Sequence, residues 1–524
     1  MELLKKNVHT EKIKSKSLLQ VPLEEDINVS DTKPDAARII YSSGDIKVDE
    51  IKTGMNKIWV KGQLCYQILY QAEGTSADEL AGMEGNIPFM EEIYLDKIEG
   101  QDRVICKSGL EDMRVHIINS RKFSIQSVIS LEPLVEETVA DELCVELVNN
   151  SDADIINKLE YRKKSMDYLE TVIKKRDLLR IHEEAKLPSG MPEIGYVLWK
   201  NMDVSNVSFR PMEDKLAVSG DINVFIVYRE DNANKNNWYE VTVPFSGAVE
   251  CQGSRDTMIA DVSYEIGHEE ISVREDSDGE ARVIGIESTL ELEIKLFEKE
   301  NALIVSDVYG VSCEVQAATE EKEFRNLLSD TNIEEKLTRN IKLDTNEPKI
   351  LQVCHSDTKV EVEDVTFTED CVKIKGNILL QSLYTSSDEE KGFYPIRENI
   401  PFEVTKQILG IDNADIEHYS VVTQANQPVI TIKDSSQIEA RITLNIHIII
   451  YDMKKQEILT DLKISPINAE ILEKLPGFVI YYVKQGDSLW QIGKRYYVSV
   501  DRIKEINNLA SEDIKAGDRL LIVK

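Results

Sequence analysis

Neither Gly-x-x-x-x-Gly-Lys-Ser/Thr nor Gly-x-Gly-x-x-Gly occurs anywhere in the 524 residues, and without such glycines backbone amides cannot cradle a phosphate. A Gly-x-Ser-x-Gly nucleophile elbow is missing as well. His182-Glu183-Glu184 and His268-Glu269-Glu270 each lack the second His, four residues on, that zinc hydrolysis requires. Both therefore read as solvated turns or strand ends. The seven cysteines (Cys65, Cys106, Cys144, Cys251, Cys313, Cys354 and Cys371) include no Cys-x-x-Cys pair and are odd in number. They read as reduced thiols rather than as a disulfide frame or a zinc site. Cys354-His355 could ligate a metal only with distant partners, because neighbours on a strand point to opposite faces.

Long apolar runs are lacking too. The longest, 442–451, is interrupted by Asn445 and His447 and is too short to cross a bilayer. The opening MELLKKNVHTEKIKSKSLLQ carries charge but no continuous apolar core, which reads as a chain without a secretory signal. Cations are in deficit, with 62 Lys and Arg against 95 Asp and Glu and a net charge of -33. That balance argues against nucleic acid, whose phosphates need clustered Lys and Arg. Carboxylates are so common that no pair of them nominates a glycosidase site. The expectation is a non-enzyme with no catalytic residue, no metal ligand and no cofactor.

What is present is repetition. Pro34, Pro192 and Pro348 are each followed 28 residues later by Gly62, Gly220 and Gly376, and eight residues beyond each Gly stands Tyr70, Tyr228 or Tyr384. A Pro-Phe pair follows at Pro88-Phe89, Pro244-Phe245 and Pro401-Phe402, 26, 24 and 25 residues after the Gly. Four landmarks in constant order mean one unit used three times. Around each Gly, apolar residues alternate, as in Val218, Ile222, Val224, Ile226 and Ile374, Ile378, Leu380. That period of two means strands with one face on a core. The Gly marks a bulge or a close backbone approach, and the Pro of each Pro-Phe belongs at a sheet edge. Each Tyr reads as a core residue with its hydroxyl satisfied.

The predicted architecture is mainly β: three tandem antiparallel β-sandwich or open-barrel repeats and a small α+β module. The boundaries are an N-terminal tail at 1–20, repeats at 21–145, 179–318 and 338–463, a helical linker at 146–178, a linker at 319–337 and a tether at 464–479, with the module at 480–524. The linkers read as short helices from Ile155, Ile156, Leu159, Tyr161 and Met166, and from Phe324, Leu327 and Leu328, loosely at helical spacing.

The terminal module reads strand, helix, helix, strand. Tyr481 to Val483 run into a turn at Gly486-Asp487, Ser488-x-x-Gln491 has capping-box spacing, Ser499 caps a second helix ended by Asn507-Asn508, and Gly517-Asp518 turns into the last strand. It carries eight Lys/Arg and six Asp/Glu on an otherwise acidic chain. Gly486-Asp487-Ser488-Leu489 and Ile514-x-x-Gly517-x-x-Leu520-x-Ile522 resemble the LysM motif. That resemblance implies a groove between the loops 486–489 and 508–514 for glycans containing N-acetylglucosamine, with Gly486, Asp487, Ser488, Leu489, Asn508, Leu509 and Ile514 forming it and Trp490 and Ile506 near its edge. Leu489, Ile492 and Ile503 would be core in any such domain.

Three copies of a β-rich unit with an aliphatic-x-Gly strand and a Pro-Phe motif, followed by one LysM, resemble the SipL-type spore-coat morphogenetic proteins of clostridia. The resemblance implies a scaffold made in the mother cell and placed at the forespore surface, which binds the coat-basement ATPase and other coat proteins. It also implies a LysM that holds a protein as well as, or instead of, a glycan, with no nucleic acid and no membrane insertion. A LysM alone would equally suit a peptidoglycan-binding wall protein or a hydrolase accessory.

Overall fold

The computed structural model describes residues 2–73, 79–148, 159–230, 235–386 apart from 312 and 369, 392–467 apart from 415 and 417, and 476–523. In the first copy β1 (Glu2–Lys16) and β2 (Leu19–Asn28) precede a meander of β3 (Ala36–Gly54), β4 (Lys57–Ala72) and β5 (Leu80–Tyr94), followed by β6 (Val104–Asn119) and the long β7 (Lys122–Val148). The second copy repeats this with β8 (Leu159–Lys186), the meander β9 (Ile194–Met212), β10 (Lys215–Glu230) and β11 (Asn236–Glu250), then β12 (Ile259–Glu275) and β13 (Ala281–Gly310). The third has β14 (Cys313–Lys342), β15 (Ile350–Thr368), β16 (Cys371–Ser386), β17 (Phe393–Gln407), a divided fifth strand β18 (Tyr419–Ala425) and β19 (Val429–Asp434), and β20 (Gln437–Pro466). Every ladder is antiparallel. In each copy the meander forms one sheet, while the closing strand lies in a second sheet between the strand or strands that precede the meander and those that follow it. The inner faces of the two sheets meet in a core such as that of Ile222, Val224, Ile226, Leu290, Leu292 and Ile294.

The sequence landmarks are the staples of this sandwich. Gly62, Gly220 and Gly376 pair across the ladder with Phe89, Phe245 and Phe402. A Cβ on Gly376 would stand 2.0 Å from the Glu361 carbonyl oxygen and 2.8 Å from the Phe402 ring, so the aromatic covers the space that glycine leaves. The opposing strand slips register at this point, between Val48 and Glu50 and between Val362 and Asp364, so each Gly sits at a bulge as well as at a close approach. Pro88, Pro244 and Pro401 lie on the outer strand of each meander, where a missing amide leaves no ladder bond unmade. The hydroxyls of Tyr70, Tyr228 and Tyr384 donate to the carbonyls of Pro34, Pro192 and Pro348 at 3.0, 3.1 and 2.9 Å. Each tyrosine thus ties the middle strand to the turn that opens the meander.

The expected linkers are not helices. Residues 159–175 belong to β8 and 319–337 to β14, while Ile155 and Ile156 fall outside the described residues. The N-terminal stretch expected to be a tail is likewise a strand, with Glu2 to Lys16 paired to the second half of β7. The reason is tertiary. The closing strands run past their sandwiches, and each continues as a two-stranded ribbon with β1, β8 or β14. The three ribbons pack on one another through Val8, Leu143, Met166, Tyr168, Ile304, Phe324 and Ile458. A charged sequence with sparse apolar residues becomes strand because those few residues meet partners from the other copies.

The copies also meet at their meanders. Tyr41, Trp199 and His355, each seven residues after its repeat's Pro, fall in one buried cluster with Phe225 and Cys354. The Tyr41 and Trp199 rings meet edge to face at 5.2 Å, and His355 stacks on Phe225 at 4.1 Å. A register slip between Val353 and His355 brings Cys354 and His355 both inward. The expectation that they face apart fails because of that bulge. Burial pushes the Cys354 thiol up to about 12, and all seven cysteines are free.

Candidate functional site

The terminal module is β21 (Phe478–Tyr482), α1 (Leu489–Tyr496), α2 (Val500–Asn507) and β22 (Arg519–Val523). Ser488 caps α1 with a full capping box: its Oγ accepts from the Gln491 amide at 3.2 Å, and Gln491 Oε1 accepts from the Ser488 amide at 3.3 Å. Ser499 Oγ caps α2 by accepting from the Arg502 amide. Asn508 ends α2 in the left-handed region at φ 52°, which Asn tolerates best after Gly. Asn507 does something its sequence position did not reveal. Its side chain pairs with both the amide and the carbonyl of Leu521, and so ties α2 to β22 as another strand would.

Asp487 holds the loop rather than the helix. Its Oδ2 accepts from the Lys484 amide at 2.8 Å and from the Tyr481 hydroxyl at 2.7 Å. Those two donors, the amide first, hold its carboxyl below the usual carboxylate range. Of the groove residues, Gly486 and Asn508 are exposed, Asp487, Ser488, Ile506, Leu509 and Ile514 are partly buried, and Leu489 is core at 1% exposure. Leu509 and Ile514 pack from the side onto the cluster of Leu489, Ile492, Ile503, Leu520 and Ile522. The loops 486–488 and 508–514 thus present short polar groups over an apolar floor.

Trp490 is differently employed. It is 6% exposed, and it faces the end of the β8/β13 ribbon. Its Nε1 donates to Asp307 Oδ2 at 2.7 Å, its ring meets Tyr309 edge to face at 4.7 Å, and the Arg162 guanidinium lies over it at 4.5 Å. Lys494 Nζ reaches the other Asp307 oxygen at 2.7 Å, and Arg162 pairs with Glu512 at 2.7 Å. The Tyr309 hydroxyl donates to the Val498 carbonyl at 3.0 Å. A Cβ on Gly493 would come within 2.6 Å of that same hydroxyl, so the tyrosine needs glycine there. Burial by itself would raise the Asp307 carboxyl, yet Lys494 and Trp490 hold it below its ordinary value. Trp490 therefore anchors the module to the body, and the partners it uses, Asp307, Tyr309 and Arg162, lie far upstream in the chain, beyond the reach of any local motif.

A match to the family described as SipL, SPOCS domain covers residues 35–118, 193–274 and 349–426, and a match to the LysM domain covers 481–523. The chain belongs to the SipL family. Membership gives it a general role in spore-coat morphogenesis, and its SPOCS and LysM modules are non-catalytic. The chain is also similar to the N-acetylmuramoyl-L-alanine amidase sle1 of Staphylococcus saprophyticus subsp. saprophyticus, at 39% identity over 70 residues. That match covers 13% of this chain and 21% of the amidase, so the SipL-family chain spans about a fifth of that enzyme's length. No solved structure matches. Among the described residues no cluster of His, Cys, Asp or Glu could hold a metal ion, and no helix is long and apolar enough to cross a membrane.

Proposed function

We propose that this SipL-family protein is a non-enzymatic scaffold of the spore coat that binds the coat-basement ATPase, and through it other coat proteins, at the forespore surface in the mother cell. The LysM module is the docking element. The observation that carries this reading is the division of labour on the module: Trp490, Lys494 and Glu512 are spent on the body, whereas Gly486 and Asn508 stay exposed on the two groove loops. A module fixed to a stiff body and open at its groove presents a partner site at low ordering cost. The test is a pull-down of the ATPase by the full chain and by a Ser488→Asp/Asn508→Asp double variant, since Asp can cap α1 and is among the side chains that tolerate the left-handed position. A Met55→Asp/Leu409→Asp variant, at side chains 80% and 78% exposed, adds the same charge elsewhere. Loss of capture in the groove variant alone supports the reading, and equal capture by all three sinks it.

The similarity to an amidase favours one second reading: a peptidoglycan-binding wall protein or hydrolase accessory whose groove takes N-acetylglucosamine. Chitooligosaccharide binding that the groove variant loses, with no capture of the ATPase, would establish it instead.

A further inference from the structure

The two-stranded sheet of the LysM has a second face that the groove does not use. Phe478, Ile480 and Tyr482 alternate along β21 and remain 68%, 59% and 61% exposed, and Leu521, paired with Ile480, is 38% exposed. Soluble domains turn their polar side outward on such a hairpin. Here the intervening residues Val479 and Tyr481 pack inward on the module's core, so both faces of β21 are apolar. The module is layered: ribbon, then helices held by Trp490 and Lys494, then hairpin. The bare face accordingly points away from the body.

The geometry points to this face as a docking site for one amphipathic helix with an acidic flank on a partner protein. Five strand residues span about 17 Å, and a helix covers that length in about 11 residues or three turns. Two strands with their side chains are about 10 Å across, which is the width of one helix. The charge of the outward strand positions is one-signed. Arg519 pairs with Tyr482 at one end of the face, Lys484 follows two residues beyond Tyr482, and the outward positions of both strands include no Asp or Glu. Among the described residues neither cation makes an ion pair, although Asp487 lies near Lys484. A second copy of the chain is a poorer occupant. Its own face would bring Arg519 and Lys484 against the same two cations, with no carboxylate on the strand positions to pair with them.

The experiment uses the full chain and two labelled 14-residue helical peptides that share one Leu/Ile stripe and differ in having Glu or Lys flanks. Fluorescence anisotropy should show the Glu-flanked peptide binding, with affinity at least tenfold lower for the Lys-flanked peptide and for Ile480→Glu protein, whose altered side chain is solvent exposed and leaves the fold intact. Sedimentation should show wild-type protein monomeric at the same concentration. The Ser488→Asp/Asn508→Asp groove variant should bind the peptide as wild type does, which separates this inference from the proposed groove. Equal binding of both peptides, no binding of the Glu-flanked one, loss in the groove variant, or a wild-type dimer dissolved by Ile480→Glu would each overturn it.

Discussion

Replacing Asp307 by Ala should release the LysM module from the body without unfolding either. Asp307 accepts the Trp490 indole N–H at 2.7 Å and pairs with Lys494 at 2.7 Å. A hydrogen bond to a charged group contributes about 1.5–3 kcal/mol. The Lys494 pair is half exposed, at 49% and 37% for the two side chains, and is screened to about 0–1 kcal/mol. Losing both shifts the docked-to-free equilibrium by about 1.5–4 kcal/mol, or roughly 10- to 700-fold at 1.4 kcal/mol per decade. Asp307→Asn keeps an acceptor for the indole but loses the charge, and should fall between. Amide hydrogen exchange of the full chain reads the effect, because the amides near Trp490 and on the facing strand around Tyr309 lose protection together when docking fails. If Asp307→Ala leaves both segments as protected as wild type, the indole contact is not what holds the module, and the anchoring role assigned to Trp490 fails.

The three glycine positions should not be equivalent. An added Cβ meets backbone oxygen at 2.0 Å in Gly376, 2.5 Å in Gly62 and 3.1 Å in Gly220, so chemical denaturation should rank Gly376→Ala as most damaging and Gly220→Ala as least, with costs of about 1–3 kcal/mol. Tyr228→Phe should lower stability by about 1 kcal/mol, since it strips the Pro192 carbonyl of its donor inside the core. Glu136→Gln should cost about 3–5 kcal/mol, because Lys295, 2.6 Å away, is left charged and uncompensated at the junction of two copies. Acid should act at the same place: burial alone would raise Glu136, but Lys295, Lys174 and Arg325 hold its folded pKa below the unfolded value. Its contribution is therefore present above the unfolded value and lost as pH falls through the folded one, and thermal melts of wild type and Glu136→Gln should converge there.

The repeats could be read in advance because their landmarks act over short distances. Gly faces Phe one strand away, and Tyr reaches a Pro carbonyl 36 residues back, so the constraint returns in every copy at constant spacing. The LysM caps were equally legible, since Ser488 and Ser499 act within three residues. The ribbons were not. Met166 and Tyr168 on β8 are buried only because Val8, Leu143 and Phe324 from the other copies cover them, and no window of local sequence records that. Trp490 shows the same limit at the site: its position in a LysM motif suggested a groove edge, and its occupation by Asp307 and Tyr309 follows from where a distant ribbon ends.

Where the copies meet, the repetition stops, and this says what kind of body the chain makes. Seven residues after each repeat's Pro stand Tyr41, Trp199 and His355, which form one cluster yet share no chemistry. Seven residues before Leu143, Ile304 and Ile458, which meet in the ribbon core, stand Glu136, Phe297 and Tyr451. Glu136 needs the cations of its neighbours, Phe297 packs against Tyr451 at 6.0 Å, and the Tyr451 hydroxyl donates to Asp261 of the second copy at 3.1 Å. Three identical units could not supply these mutually dependent roles, because a buried carboxylate repeated three times in one core would repel itself. Within each sandwich the landmark residues repeat the same contacts; where the copies meet, the residues are complementary. The chain is therefore one body whose three copies hold one another through inequivalent contacts, with a single LysM anchored at one ribbon.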